Sequence, residues 1–279
     1  MHDRATVPSP HNPTEAPPTT PGTHASIGNL TTSDIDVVFQ PIVDLATGWT
    51  VAYEALTRCR WPEFKNPVTL FNQAQEEGAV GRLGRLVREV AFQRCDDVPL
   101  FINIHPHELN EGWLVRPDDP IFFHDRAVYL EITESAAFHY FDLCVNMLRE
   151  VAARGGGQLV VDDLGAGYSN LKRVLDLEPK VVKLDLALVR GIDKSRRQQI
   201  LVRQVVALFQ ELDADVVAEG IETLDELRAI RDTGAQYGQG YLFARPAYPL
   251  PRALWPLDRA PEPANGRLAS DMLSGKIRL

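Results

Sequence analysis

Residues 159–163 read Leu159-Val160-Val161-Asp162-Asp163, a short apolar run that stops on two adjacent aspartates before Leu164-Gly165-Ala166-Gly167. A run of this length, apolar at successive positions, reads as a strand buried on both faces, which is the kind found in parallel sheets. The same form recurs as Val37-Val38-Phe39, Val51-Ala52-Tyr53, Leu100-Phe101-Ile102, Val128-Tyr129-Leu130, Val181-Val182, Val216-Val217 and Tyr241-Leu242-Phe243. Between the runs, Phe141, Cys144, Val145, Leu148 and Val151 repeat at the spacing of one buried helix face, and Leu201, Val205, Leu208 and Leu212 do the same. Strand and helix therefore alternate, the pattern of an α/β protein whose parallel sheet is covered by helices.

About eight strands lie between Asp34 and Leu250, a length near the lower end for a closed (β/α)₈ TIM-like barrel. The rival, an open doubly wound sheet, lacks the Gly-rich phosphate loop expected after an early strand. Only Asp44 to Trp49 separates the first two runs, too little for a crossover helix, so they are expected to pair as an antiparallel hairpin. The predicted fold is thus a modified barrel whose first strand runs backwards.

The 29 Lys+Arg against 38 Asp+Glu in 279 residues give a net charge of −9, which argues against a binder of nucleic-acid polymers. Any phosphorylated ligand must then be met by local cations or metal. Cys59, Cys95 and Cys144 are scattered, with no CxxC spacing, so neither a disulfide framework nor a thiolate zinc site is expected. No run approaches the roughly 18 apolar residues of a membrane-spanning helix, and the N-terminus has no signal-peptide core. A cytoplasmic, membrane-free protein is the expectation.

Residues 1–30 are rich in Pro and Thr and are expected to be disordered, because such a segment cannot bury enough apolar surface to offset its ordering entropy. Residues 31–256 are assigned to the folded domain and 257–279 to a loosely ordered tail, with room for a short helix over Met272 to Leu279. With no obvious fused sensor domain, control is expected through protein partners, oligomerisation or the tails.

Polar residues interrupt the apolar runs at recurrent places. Glu54, Asn103, Glu131, Asp162-Asp163, Lys183 and Glu219 each follow a run and would ring one mouth of the barrel, where catalytic groups belong in this architecture. Gln239 instead opens the last run. Glu54, Asn103, Glu131, Asp162 and Asp163 supply hard oxygen donors suited to Mg²⁺ or Mn²⁺, and adjacent aspartates can serve two cations about 3.5–4 Å apart. Clustered carboxylates would otherwise repel one another strongly. The bland readings are specific: Lys183 pairs with Asp185 on the same strand face, Gly165 and Gly167 serve a tight turn, and His105 is a satisfied loop histidine rather than a neighbour of the metals.

Read together, Gln40-Pro41-Ile42, Glu54-Ala55-Leu56-Thr57-Arg58, Asn103, Leu130-Glu131-Ile132-Thr133-Glu134, Asp162 to Ser169, Lys183-Leu184-Asp185, Ala218 to Thr223 and Gln239-Gly240-Tyr241 resemble the EAL domain family, in order and over about Ile35 to Pro246. The resemblance implies a cyclic di-GMP phosphodiesterase that forms linear 5′-pGpG on a modified TIM barrel. It implies two Mg²⁺ or Mn²⁺ ions held by Glu54, Asn103, Glu131, Asp162 and Asp163. Lys183 resembles the lysine near the nucleophilic water, Glu219 the essential glutamate and Gln239 the glutamine of the rim. Arg58 resembles the arginine that contacts the ligand phosphate, with Gln40 and Leu56 lining the same pocket. Glu134, Gly165 and Gly167 correspond to the glutamate and loop that couple dimerisation to metal occupancy, and a homodimer is expected. Leu164, Ala166 and Asn170 depart from the usual Phe, Thr and Ser, which bears on loop dynamics and rate and removes no ligand.

Two other classes compete. A catalytically silent cyclic di-GMP receptor acting through protein partners would bind without hydrolysis in excess metal. A barrel glycosidase would use two of the glutamates without metal, but Asp162-Asp163, Lys183 and the lack of an aromatic sugar platform speak against it.

Overall fold

A parallel strand buried on both faces must be followed by a helix that returns the chain and covers one face. A computed structural model of the protein describes residues 26–134, 141–166 and 171–258, and there this logic repeats around a closed ring. The strands are β1 Ile35–Asp44, β2 Thr50–Cys59, β3 Leu100–Asn103, β4 Val128–Thr133, β5 Gln158–Leu164, β6 Val181–Leu184, β7 Asp215–Ala218 and β8 Tyr237–Gly238, closed in chain order. β1 runs antiparallel to both β2 and β8, and the remaining pairs are parallel, so the expected modified barrel is present. Asp44 Oδ1 closes the hairpin between β1 and β2 by accepting from the backbone N–H groups of Ala46 and Thr47 and from the Thr47 hydroxyl.

The outer layer comprises α1 Pro67–Glu76, α2 Val80–Arg94, α3 Pro106–Glu111, α4 Phe141–Ala153, α5 Leu171–Leu177, α6 Leu186–Val189, α7 Arg196–Glu211 and α8 Leu224–Arg231. On α4 the expected face is inward, with Val151 and Leu148 buried. On α7 it is so only in part. The fully buried residues there are Val202, Val206 and Phe209, and Val205 packs against the core, while Leu201 and, just past the helix end, Leu212, both expected inside, are 51% and 46% exposed. Two apolar rows lie side by side on this helix, and helical spacing alone cannot say which of them meets the sheet.

The barrel's interior is filled at one end by Ile42, Val51, Ala52, Phe101, Tyr129, Val160, Val181, Val217 and Tyr237, with the Phe101 and Tyr129 rings stacked at 4.4 Å. Side chains two apart on a strand share a face. Two positions beyond these apolar residues come Gln40, Glu54, Asn103, Glu131, Asp162, Lys183, Glu219 and Gln239. The apolar plug at one end and the polar mouth at the other are therefore successive layers of one inward-facing set.

Outside the barrel, buried Arg88 on α2 pairs with Glu108 on α3 at 2.5 Å and with Asp119 at 2.6 Å, fastening the long β3–β4 connection to the helical layer. Of the segment expected to be disordered over 1–30, residues 26–30 are ordered. Ile27 and Leu30 are fully buried, Glu77 accepts from the Ile27 N–H and the Ser26 hydroxyl, and Arg82 donates to the carbonyls of Ile27 and Leu30. At the other end, Trp255 stacks on Phe243 at 5.8 Å. Residues 1–25, Gly167, most of the 257–279 tail and its Met272 to Leu279 helix lie outside the described residues. No helix among the described residues is long and apolar enough to cross a membrane.

Candidate active site

Lys183 is the fully buried hub of the polar mouth. Its Nζ lies 2.6 Å from both Glu131 Oε1 and Glu219 Oε1, 3.5 Å from Glu54 Oε2 and 3.6 Å from Asp162 Oδ1. The alternative pairing with Asp185 is not made: Asp185 caps α6, accepting from the Ala187 N–H at 2.8 Å. Burial disfavours the Lys183 ammonium, but the carboxylates of Asp162, Glu131, Glu219 and Glu54 outweigh it and hold the pKa well above the usual lysine range.

The carboxylates respond differently. Burial drives Glu131 well above the ordinary range despite Lys183. Burial also pushes Glu219 up to about 8, with Asp162 and Glu54 adding to the shift and Lys183 opposing it. Asp163 is raised to about 6 by burial and by the charges of Asp162 and Asp185. Glu54 stays below the normal range: burial is overcome by Lys183 and by hydrogen bonds from Gln239 and Asn103. Gln239 Nε2 donates to Glu54 Oε2 at 2.5 Å, and Asn103 Nδ2 donates to Glu54 Oε1 at 3.1 Å.

One ammonium thus faces five carboxyl groups in a desolvated mouth, and the set is short of positive charge. Glu131 Oε2 is buried with no hydrogen-bond partner among the described residues. Asp162, Asp163 and Glu219 each bring an oxygen to within 4.8 Å of the others. An orphaned carboxylate oxygen beside converging hard donors fits divalent cations. Asn103, committed to Glu54 through its nitrogen, has Oδ1 as the atom able to ligate.

Gln239 stands elsewhere than its sequence context implied. The eighth strand is Tyr237–Gly238 rather than Tyr241–Phe243, so Gln239 ends a strand and enters the mouth like the other site residues. A two-residue strand gives no periodicity to read. Gly240 explains its sharp exit, since a Cβ there would lie 2.0 Å from the Ile221 carbonyl oxygen.

Beside the mouth is a cleft of about 260 Å³ lined by Gln40, Glu54, Leu56, Glu219 and Gln239, and also by Leu186, Arg190, Glu222 and Tyr241. Arg58, two positions beyond Leu56, is not in this lining; its Nη1 donates to the Thr57 carbonyl at 2.8 Å. Arg190 grips Glu222 through two bonds of 2.5 and 2.6 Å at the cleft edge, and the Arg245 guanidinium lies 4.3 Å from the Tyr241 ring centre. No sequence signal pointed to Leu186 or Arg190; Glu222 and Tyr241 fell inside motifs whose neighbours drew the attention.

Glu134 directly follows β4 and its Oε2 accepts from the Gly165 N–H at 3.3 Å, so these two loop residues meet. Asp163 adopts φ +59 within β5, where the register with β6 shifts between Val161 and Leu164, and donates its N–H to Asp162 Oδ1. Gly165 has φ +103, and a Cβ there would lie 2.5 Å from Leu188 Cδ1. His105 caps α3, its Nδ1 accepting from the His107 N–H at 3.3 Å, with its ring stacked on Phe71. That is the arrangement of a satisfied loop histidine.

Residues 27–246 match the family model described as the EAL domain. Cyclic di-GMP phosphodiesterase PdeR of Escherichia coli is 32% identical over 206 residues, which cover 69% of this chain and 31% of that protein. Cyclic di-GMP phosphodiesterase RocR of Pseudomonas aeruginosa is 29% identical over 233 residues, 79% of this chain and 59% of RocR. Among solved structures, a manganese and cyclic di-GMP complex of Klebsiella pneumoniae BlrP1 superposes with a TM-score of 0.69 at 31% identity, covering 82% of this chain and 59% of BlrP1. The chain spans about a third of the length of curated relatives such as PdeR.

Proposed function

The chain belongs to the EAL domain family, and from that premise we propose that it is a metal-dependent phosphodiesterase that opens cyclic di-GMP to linear 5′-pGpG, lowering this second messenger in a bacterial cytoplasm. The observation that carries the reading is the mouth itself, where Glu54, Glu131, Asp162, Asp163 and Glu219 converge around Lys183 beside a cleft. Relatives named as cyclic di-GMP phosphodiesterases and a neighbour solved with manganese and cyclic di-GMP support the choice of substrate and metal.

Glu54, Asn103, Glu131, Asp162 and Asp163 would hold two Mg²⁺ or Mn²⁺ ions, which when bound supply Lewis-acid activation of water and neutralise charge at the phosphodiester. The residues of the chain supply the rest. Glu219 Oε1, held 2.6 Å from Lys183, orients the attacking water and takes its proton. Lys183 fixes the carboxylates and offsets negative charge as it grows on the phosphate. Gln239 keeps Glu54 ionised and aimed into the mouth. Gln40 and Leu56 line the dinucleotide cleft, and Arg58 is assigned to its phosphate. Glu134 and Gly165, which meet beside the metal-holding aspartates, together with Gly167 by its place in the sequence, are assigned to the route by which homodimerisation or a regulatory protein partner would reach the site.

Replacing Glu219 by Gln keeps size and removes the base, and replacing Glu54 by Gln removes a ligand. Turnover of cyclic di-GMP is expected to be abolished in both, and a folded variant with normal rate contradicts the assignment.

A further inference from the structure

Two loops leave the barrel mouth side by side, and each is rooted on a residue of the site. One follows β6 and Lys183 and runs through α6 to Arg190 and Gly191; the other follows β7 and opens on Glu219, Gly220, Ile221 and Glu222 before α8. The roots meet twice: the Glu219 N–H donates to the Leu184 carbonyl at 3.2 Å, and Glu219 Oε1 lies 2.6 Å from Lys183 Nζ. Next to Glu219 stands Gly220 at φ +70, pressed on Leu186 so closely that a Cβ there would lie 2.8 Å from the Leu186 Cβ. A glycine in that position has the backbone freedom that a pivot needs.

The tips of the two loops are joined by Glu226, a residue in the first turn of α8 that is only 3% exposed. Its Oε2 accepts from the N–H groups of Glu222 at 3.0 Å and Thr223 at 3.1 Å, and its Oε1 accepts from the Gly191 N–H at 2.9 Å. A capping box needs only the Thr223 bond, which is reciprocated here by the Thr223 hydroxyl accepting from the Glu226 N–H at 3.2 Å. The bond to Gly191 reaches back 35 residues to the other loop and satisfies nothing at the helix end. Burial disfavours the Glu226 charge, but the N–H groups of Gly191, Glu222 and Thr223 outweigh it and hold the pKa below its usual value. The exposed Arg190–Glu222 pair crosses the same gap, where solvent screening leaves a salt bridge little strength.

We propose that Glu226 is a positioning residue for the reaction: by fastening the tip of the Glu219 loop to the tip of the Lys183 loop, it stops the turn from pivoting at Gly220 and keeps the Glu219 carboxylate seated against Lys183. The proposal rests on the reading of the mouth as the phosphodiesterase site. Glu226 lies outside the cleft lining, so its loss acts on the chemical step rather than on binding of the dinucleotide. A displacement of about 1 Å at a reacting group is enough to cost rate steeply.

The test compares Glu226→Ala with Thr223→Ala in the full chain. Thr223→Ala removes the hydroxyl half of the same capping box and leaves the bonds between the loops, so it is the control for a weakened helix end. Steady-state hydrolysis of cyclic di-GMP and hydrogen exchange of the Glu219 amide by nuclear magnetic resonance are measured, with melting curves to verify folding. Glu226→Ala is expected to lower kcat about 10- to 100-fold with KM within about threefold of the parent, and to speed exchange at Glu219 about tenfold or more. Thr223→Ala is expected to melt lower with kcat and Glu219 exchange near the parent values. Glu226→Gln keeps the size and one acceptor oxygen, so it can satisfy one loop and not both; it is expected to fall between, and it carries the comparison if Glu226→Ala does not fold. A parent-like kcat in the folded variant, unchanged exchange at Glu219, or an equal loss in Thr223→Ala overturns the proposal. A parent chain without turnover counts against the reading of the mouth, and exchange at Glu219 then decides the proposal by itself.

Discussion

The side-chain nitrogen of Gln239 lies 2.5 Å from Glu54 Oε2 and 3.0 Å from Gln40 Oε1. Gln40 in turn donates its Nε2 to the Ala244 carbonyl at 3.0 Å, which obliges its oxygen to face Gln239 and obliges Gln239 to present nitrogen to Glu54. A backbone carbonyl thereby orients an amide that holds a metal ligand. Gln40→Leu removes the constraint while leaving every proposed ligand in place. Mn²⁺ affinity, followed by electron paramagnetic resonance, is expected to fall about 10- to 100-fold, the usual cost of losing an outer-shell partner.

Lys183→Met takes the one buried ammonium away from Glu54, Glu131, Asp162 and Glu219. Uncompensated buried charge is strongly destabilising, by roughly 3–5 kcal/mol when one partner of a pair is removed. With chelator present, the variant is expected to melt well below the parent. Excess Mn²⁺ is expected to recover much of the stability and none of the turnover.

The raised groups set a pH dependence whose sign follows from linkage. Glu219, about 8 when folded against 4.5 normally, and Asp163, about 6 against 3.8, bind protons more tightly in the folded state. Their contribution is therefore fully present below those normal values and is lost as pH rises towards the folded ones. Glu54 and Lys183 act outside this window, since the first is shifted downward from 4.5 and the second upward from 10.5. The metal-free chain is expected to lose stability between about pH 4 and 8, measured by thermal melts. Divalent cations replace the protons, so metal addition near pH 7 is expected to release protons into a weakly buffered solution.

Arg88 is a purely structural counterpart. Arg88→Met leaves Glu108 and Asp119 buried without their cation, at a cost of roughly 3–5 kcal/mol. A melting point lower by roughly 10 °C is expected, with turnover at 25 °C per folded molecule unchanged. A large loss of turnover in folded protein would place Arg88 in the catalytic machinery instead.

What the sequence disclosed follows from strand physics. Inward-facing residues repeat every second position, so an apolar run followed by a lone acid marks both a strand and a mouth, and Glu54, Glu131, Asp162 and Glu219 were legible for that reason. Gln239 was not placed, because β8 spans two residues and carries no pattern. The buried face of α7 was taken one residue out of step, because two apolar rows compete on that helix and only the sheet decides between them. Ser26 to Leu30 read as tail because its anchors, Glu77 and Arg82, lie some fifty residues away. The cleft residues Leu186 and Arg190 sit on ordinary helical sequence and became visible only when β6 brought them beside the mouth.

The most direct measurement incubates the purified chain with cyclic di-GMP in Mg²⁺, in Mn²⁺ and in chelator, and separates the products by chromatography. The account predicts linear 5′-pGpG with either metal and intact cyclic dinucleotide in chelator. Tight binding of cyclic di-GMP without hydrolysis in excess metal would contradict it and make the protein a receptor.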